Sequence, residues 1–162
     1  MLILTGPTAA GKNMVGTLLA RQRARCAVVD FDAVRAMFVQ PHRAPWQGAE
    51  GHAQQLLGTR LICLLAERFA QAGWEVVILD VLSEETGRLY RHLLAQFHPT
   101  IVQLLPAWTD LQRRFYARGP VLTDDELAHL YAEQCALTQY DTRIDNTGVP
   151  PARVVEQLVD LI

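Results

Sequence analysis

Leu2-Ile3-Leu4-Thr5-Gly6-Pro7-Thr8-Ala9-Ala10-Gly11-Lys12-Asn13 decides how the rest of the 162-residue chain is read. A short apolar run ends on a glycine, and a Gly-Lys pair then opens a pattern of helical period. The segment Gly6-x-x-x-x-Gly11-Lys12 matches the first seven positions of G-x-x-x-x-G-K-[ST], the Walker A phosphate loop, with a strand before it and a helix after it. The glycines let the backbone wrap with its N–H groups pointing inward, the helix start adds its positive end, and Lys12 reaches between phosphates. Gly6, Pro7, Thr8, Ala9, Ala10, Gly11, Lys12 and Asn13 are therefore the expected nucleotide-binding residues. The eighth position departs from the pattern. A hydroxyl there normally ligates Mg²⁺, whereas the Asn13 amide oxygen is a poorer, longer-stemmed ligand that could instead hold a metal-bound water. The bland alternative is an ordinary strand–helix turn with an exposed lysine. A dinucleotide fingerprint fails on spacing, because Gly6 and Gly11 do not make G-x-G-x-x-G.

Composition supports a point role for that lysine. Fourteen of the fifteen basic residues are arginine and Lys12 is the only lysine. A compact ammonium fits among phosphates where a planar guanidinium does not. A net charge of −2 with pI near 6.2 argues against a nucleic-acid partner, which usually calls for a basic face. Mean hydropathy of +0.07 and 50% apolar residues fit a globular fold. No apolar run reaches the roughly 18 residues of a membrane span, and the start of the chain lacks the features of a signal peptide, so the expected address is cytoplasmic. Cys26, Cys63 and Cys135 have no ligand spacing and are read as buried thiols.

Short apolar runs alternate with longer helical patterns, the signature of βα units and a parallel sheet. Strands are expected at Leu2–Thr5, Ala27–Asp30, Glu75–Asp80, Thr100–Leu105 and Thr142–Asn146. Helices are expected over about 11–23, 32–39, 49–71, 83–97, 108–117, 123–137 and 151–161. Thr123-Asp-Asp-Glu126 reads as a capping box, and Gly73 suits a helix C-terminus. The leucines at 56, 57, 61, 64 and 65, with Phe69, read as a core stripe. Gln40–Gly48 breaks the pattern and is the best candidate for a substrate-side loop. No linker or repeat appears, so residues 1–162 are read as one domain with a substrate-side region at about 33–72 and a short lid at about 114–123.

Ligands of parallel sheets bind beyond the carboxyl ends of the strands, which directs attention to Asp30, Asp32 and Asp80. If the segment through Asp30 and Asp32 is extended, the two point to one side, one toward a metal and the other toward an acceptor hydroxyl. Otherwise Asp32 is merely the N-cap of the next helix. Arg114 and Arg118 are four apart on one helix, and Gly119-Pro120 after them offers a pivot for a lid whose arginines could neutralise a transferring phosphoryl group. A solvated basic face is the alternative, and Arg113 looks more like that. Trp46 lies in the irregular segment, where it contacts substrate or packs on the core. The five histidines show no metal spacing.

Gly6–Lys12, Asp30-x-Asp32-x-x-Arg35, the strand ending at Asp80 and Leu111-x-x-Arg114-x-x-x-Arg118, in this order, resemble the small P-loop kinases and phosphotransferases. The nearest in appearance are chloramphenicol phosphotransferase-like, tunicamycin-resistance-like and zeta-toxin or polynucleotide-kinase types, with shikimate and adenylate kinases more distant. The stretch Tyr140-Asp141-x-x-x-Asp145-Asn146-Thr147 is similar to a segment of the chloramphenicol enzymes. The resemblance implies a three-layer α/β P-loop NTPase fold with a five-stranded parallel sheet of order 2-3-1-4-5. It implies ATP and Mg²⁺, with Asn13, Asp30 and Asp80 toward the metal, Asp32 as acceptor-side base, and Arg35, Trp46 and Asp80 on the substrate. Lys12, Arg114 and Arg118 would serve the phosphates, with Arg114 also near adenine. The expected activity is transfer of the γ-phosphoryl group to a hydroxyl of a small molecule. The alternatives are a nucleotide or nucleic-acid end kinase, suggested by Asp32-x-x-Arg35, and a nucleotide-binding regulator with little transfer, suggested by Asn13.

Overall fold

A computed structural model describes residues 1–159. Five strands, β1 (Leu2–Thr5), β2 (Cys26–Asp30), β3 (Glu75–Leu79), β4 (Thr100–Leu104) and β5 (Thr142–Ile144), form one parallel sheet in the order β2-β3-β1-β4-β5. The helices are α1 (Lys12–Arg21), α2 (Phe31–Arg35), α3 (Gly48–Gln71), α4 (Glu84–Leu93), α5 (Trp108–Ala117), α6 (Asp124–Ala136) and α7 (Pro151–Val159). The last two positions of the helix expected over 151–161 lie outside the described residues.

β1 is central, pairing β3 on one side and β4 on the other, and all four of its residues are buried. Strand alternation sends Leu2 and Leu4 into a core with Val15, Leu19, Leu111, Phe115 and Val154, while Ile3 enters a second core with Phe31, Ile62, Tyr90 and Leu94. The sheet is thus covered on both faces, a three-layer arrangement, which is why its strands read as continuous apolar runs. Because every strand is parallel, the phosphate loop, Asp30, Asp80 and the start of α5 share its carboxyl edge.

Several local expectations need correction. The helix after β2 spans only Phe31–Arg35, not 32–39. Its closing bonds tighten to Met37 N→Val34 O and Phe38 N→Arg35 O, and the chain turns away toward Pro41. Asp80 lies just beyond β3 rather than within it. The helix expected over 83–97 ends at Leu93, followed by a 3₁₀ turn at Ala95–Phe97. Of the α3 stripe read as core, Leu57, Leu64, Leu65 and Phe69 are exposed, because α3 turns Gly58, Thr59, Ile62, Cys63 and Ala66 inward instead. Of the three cysteines only Cys63 is buried; Cys26 is partly covered and Cys135 exposed.

Candidate active site

The phosphate loop is built by positions that need unusual backbone. Gly6 has φ +137, and a Cβ there would stand 2.1 Å from the Leu104 carbonyl oxygen; Gly11, with φ +101, is the N-cap of α1. Three of the loop's carbonyls are taken by side chains. Lys12 Nζ donates to Gly6 O at 2.7 Å and Pro7 O at 3.1 Å, and Ala10 O accepts from Asn146 Nδ2 at 2.8 Å and Arg114 Nη1 at 3.3 Å. Among the described residues the N–H groups of Thr8, Ala9, Gly11, Lys12 and Asn13 have no acceptor. A loop with these carbonyls occupied and its amides free at a helix N-terminus suits an anion.

Lys12 is buried, and burial lowers its pKa to about 8 against the opposing pull of Asp32, Asp80 and Asp30. Arg118 adds a smaller push in the same direction as burial. These five groups therefore share one electrostatic neighbourhood, assembled from the phosphate loop, β2, α2, the end of β3 and the end of α5.

The carboxylates divide by environment. Asp30, not Asp32, caps α2: its Oδ1 accepts from Asp32 N at 3.0 Å and its Oδ2 from Asn13 Nδ2 at 2.9 Å. Asp32 sits in the first turn of α2, so the expected extended segment through both acids is absent and so is its role as N-cap. The Asp32 side chain is exposed and has no partner among the described residues. Asp80 is buried, with Oδ1 accepting from Val81 N at 2.6 Å and Oδ2 from Tyr90 OH at 2.9 Å. Burial raises its pKa to about 7.

Arg114 is engaged by its neighbours in this structure. Its Nη2 donates to Asn146 O at 2.7 Å and lies 2.6 Å from Asp110 Oδ2, fixing it to the segment after β5. Asp110 also pairs with Arg113 and accepts from Gly148 N at 3.2 Å, and the Arg113 hydrogen bond leads the effects that lower its pKa. Arg118 is exposed at the end of α5 with no hydrogen bond or ion pair among the described residues. A cavity of about 330 Å³ opens beside the loop, lined by Gly11, Arg114, Asn146, Gly148, Val149 and Pro150. Asp110 and Asn146 are the site residues that sequence reading missed as anchors. The usable signals were an acid one turn before Arg114 and an amide just past the last strand.

On the other side, Arg35 Nη2 donates to Arg43 O at 2.8 Å, which holds the turn between α2 and α3 closed. Gln54 supports the same turn, accepting from Arg43 N and donating to Pro41 O. Trp46, half exposed, donates from Nε1 to Glu126 Oε1 at 3.1 Å, joining this segment to α6. The capping box expected at Thr123 is present, with Glu126 Oε2 accepting from Thr123 N at 2.9 Å.

No protein-family model and no curated protein matches the sequence. Solved structures do match along nearly the whole chain. A sugar kinase from Janibacter sp. superposes with TM-score 0.73 at 17% identity, covering 98% of this chain and 91% of that one. The tunicamycin resistance protein of Deinococcus radiodurans gives TM-score 0.73 at 14% identity, covering 99% and 94%. Shikimate kinase from Acinetobacter baumannii, solved with shikimate, gives 0.68 at 21% identity, covering 99% and 90%. At these identities the likeness establishes the fold.

Proposed function

Starting from a P-loop kinase-like fold, we propose that this protein transfers the γ-phosphoryl group of ATP to a hydroxyl of a small molecule. One observation carries the reading: the phosphate loop presents free amides around a buried lysine, and the exposed, unpartnered Asp32 carboxylate lies in the electrostatic field of that same lysine. The loop amides and Lys12 hold the β- and γ-phosphates, and the base lies in the cavity against Gly148, Val149 and Arg114. Asp32 accepts the acceptor's hydroxyl proton as its oxygen bonds to the γ-phosphorus and the bridge to the β-phosphate breaks, releasing ADP. Arg118, free at the end of α5, supplies positive charge over the transferring group. Arg35 and Trp46 shape the acceptor side by holding the turn between α2 and α3.

Mg²⁺ in such sites is held by substrate phosphates and one or two carboxylates, so an all-protein cage is not required; among the described residues no three acidic, histidine or cysteine side chains form one. Asp30 fits this need, since each of its oxygens keeps a lone pair beside the loop. Asp80 accepts the same number of hydrogen bonds but is buried, so Asp30 is the more open of the two to an ion, and the Asn13 amide nitrogen already faces Asp30. When bound, the ion would supply charge neutralisation between phosphate oxygens. The Asn13–Asp30 hydrogen bond also favours a second reading, a nucleotide-binding protein with little transfer activity.

Magnesium-dependent ATP consumption, measured with and without a panel of hydroxyl acceptors, separates the two. Turnover that rises with one acceptor is expected; ATP binding without turnover on any acceptor supports the second reading. With the acceptor in hand, Asp32→Asn should cut transfer by roughly 10²–10⁴-fold while ATP affinity and folding stay nearly unchanged. A near wild-type rate would remove Asp32 from the mechanism.

A further inference from the structure

At the corner between the phosphate loop and β2 this chain carries an amide where the loop motif carries a hydroxyl, and the amide is engaged. Asn13 Nδ2 donates to Asp30 Oδ2 at 2.9 Å, and the other oxygen of that carboxylate, Oδ1, accepts from the backbone N–H of Asp32 at 3.0 Å. That N–H belongs to the first turn of α2, where no intrahelical acceptor exists, so the Asp30 carboxylate is what satisfies it. α2 is only five residues long and cannot hold its own first turn by helical cooperativity. The chain of contacts therefore runs from the first turn of α1, through one carboxylate, to the backbone of the residue that faces the acceptor side. The reach is particular to asparagine. A serine or threonine at position 13 ends its donor one bond nearer the backbone and would not span to Asp30.

We propose that Asn13 is a positioning residue whose side-chain amide holds Asp30 and, through Asp30, the backbone of Asp32, so that the state of the phosphate loop is felt at the acceptor carboxylate. The hydrogen-bonded chain stands on the geometry alone; its coupling to ligand rests on the nucleotide reading of the loop given above. Asn13 thereby acts toward Asp30 as a donor through its Nδ2. Asp30 keeps one lone pair per oxygen for an ion, while its orientation is set by Asn13 whether or not the ion is present.

The test reads the Asp32 amide directly, by NMR hydrogen exchange in EDTA. Asn13 is exposed, so its variants should fold, and the Val15 amide, bonded to Gly11 O at 3.0 Å, serves as the local control. Asn13→Ala and Asn13→Ser should each speed exchange at Asp32 by about fivefold or more, the size of a weakened cap, with Val15 unchanged. Asp30→Ala should speed it further, and adding Asn13→Ala to Asp30→Ala should change nothing more, because the effect passes through that carboxylate. Unchanged exchange in both Asn13 variants, or additive effects with Asp30→Ala, would overturn the proposal. A serine variant indistinguishable from wild type would do the same, since a hydroxyl would then suffice.

A second arm adds ADP, still without metal. Exchange at Asp32 should slow on ADP binding in the wild type and not in Asn13→Ala. An equal response in both proteins would refute the coupling. Wild type that does not bind ADP would overturn the nucleotide reading and the coupling with it, while the ligand-free arm still decides whether Asn13 holds Asp32.

Discussion

The two sides of the cleft are held in different ways. Around the phosphate loop, carbonyls are seized by side chains from distant elements: Ala10 O alone takes donors from α5 and from the segment after β5. Across the cleft, the turn between α2 and α3 is held mainly by its immediate neighbours, Arg35 on Arg43 and Gln54 on Pro41, and reaches out through one exposed contact, Trp46 to Glu126. On the proposed reading, the first side serves as a receptor for a group that is the same in every nucleotide. The second leaves Asp32, Met37 and Val39 exposed, the surface that would face an acceptor on that same reading.

If this contrast is right, damage on the loop side should abolish nucleotide binding, and damage on the turn side should spare it. Gly6→Ala is the harshest case. Its Cβ would stand 2.1 Å from Leu104 O at a φ of +137, so the loop must move; a loss on the order of 3 kcal/mol in urea unfolding is expected, and isothermal titration should find ADP affinity down by about 100-fold or more. Retained binding would mean that the loop's geometry is not the receptor.

Lys12→Ala comes next, with ATP affinity reduced at least about tenfold, or about 1.4 kcal/mol. Burial lowers the ammonium's pKa from 10.5 to about 8, so affinity measured across pH should decline as pH rises through about 8, where the free protein loses that charge. The sign for folding is opposite. Between about 8 and 10.5 the unfolded chain holds a proton that the native state has shed, so stability rises with pH in this window, and the alanine variant should flatten that rise.

Asn146→Ala removes the buried amide on Ala10 O without touching the turn side. Stability should fall by about 1–3 kcal/mol in denaturant unfolding, with a roughly tenfold weaker ADP affinity by titration as the loop loosens. Trp46→Phe should do least: the ring stays, only the exposed bond to Glu126 is lost, and both ADP affinity and unfolding should stay within about 0.5 kcal/mol. A large loss of nucleotide affinity in this variant would break the division between the two sides.

What the sequence disclosed follows the same division. Gly6, Gly11 and Lys12 are dictated by backbone and charge needs that leave few residue choices, so one stretch of twelve residues indicated the loop, its strand and its helix. The parallel sheet was legible from strands apolar on both faces; its order 2-3-1-4-5 came from resemblance and not from the residues. The capping role weighed for Asp32 falls to Asp30 because the helix begins one residue earlier than the pattern suggested, and a one-residue shift decides which acid caps and which is free. Asp110 was overlooked although Arg113 and Arg114 stand three and four residues on along the same helix; only its third partner, the Gly148 amide, is brought to it by the fold. The outer leucines of α3 were misread because a helix apolar on two faces gives no periodicity that says which face is inside.

The Ala10 carbonyl bears on how the molecule is made. Its two donors lie 104 and 136 residues downstream, so during synthesis the loop's sequence leaves the ribosome long before the residues that set its shape. A nascent chain stopped short of Asn146 would hold every letter of the loop's motif and lack the buried amide on its Ala10 carbonyl. Pairings of such sequence separation close late and slow folding. On the proposed reading, a nucleotide that selects this loop geometry would then stabilise chains that include Asn146 over shorter ones, drawing newly made protein toward the finished fold by mass action.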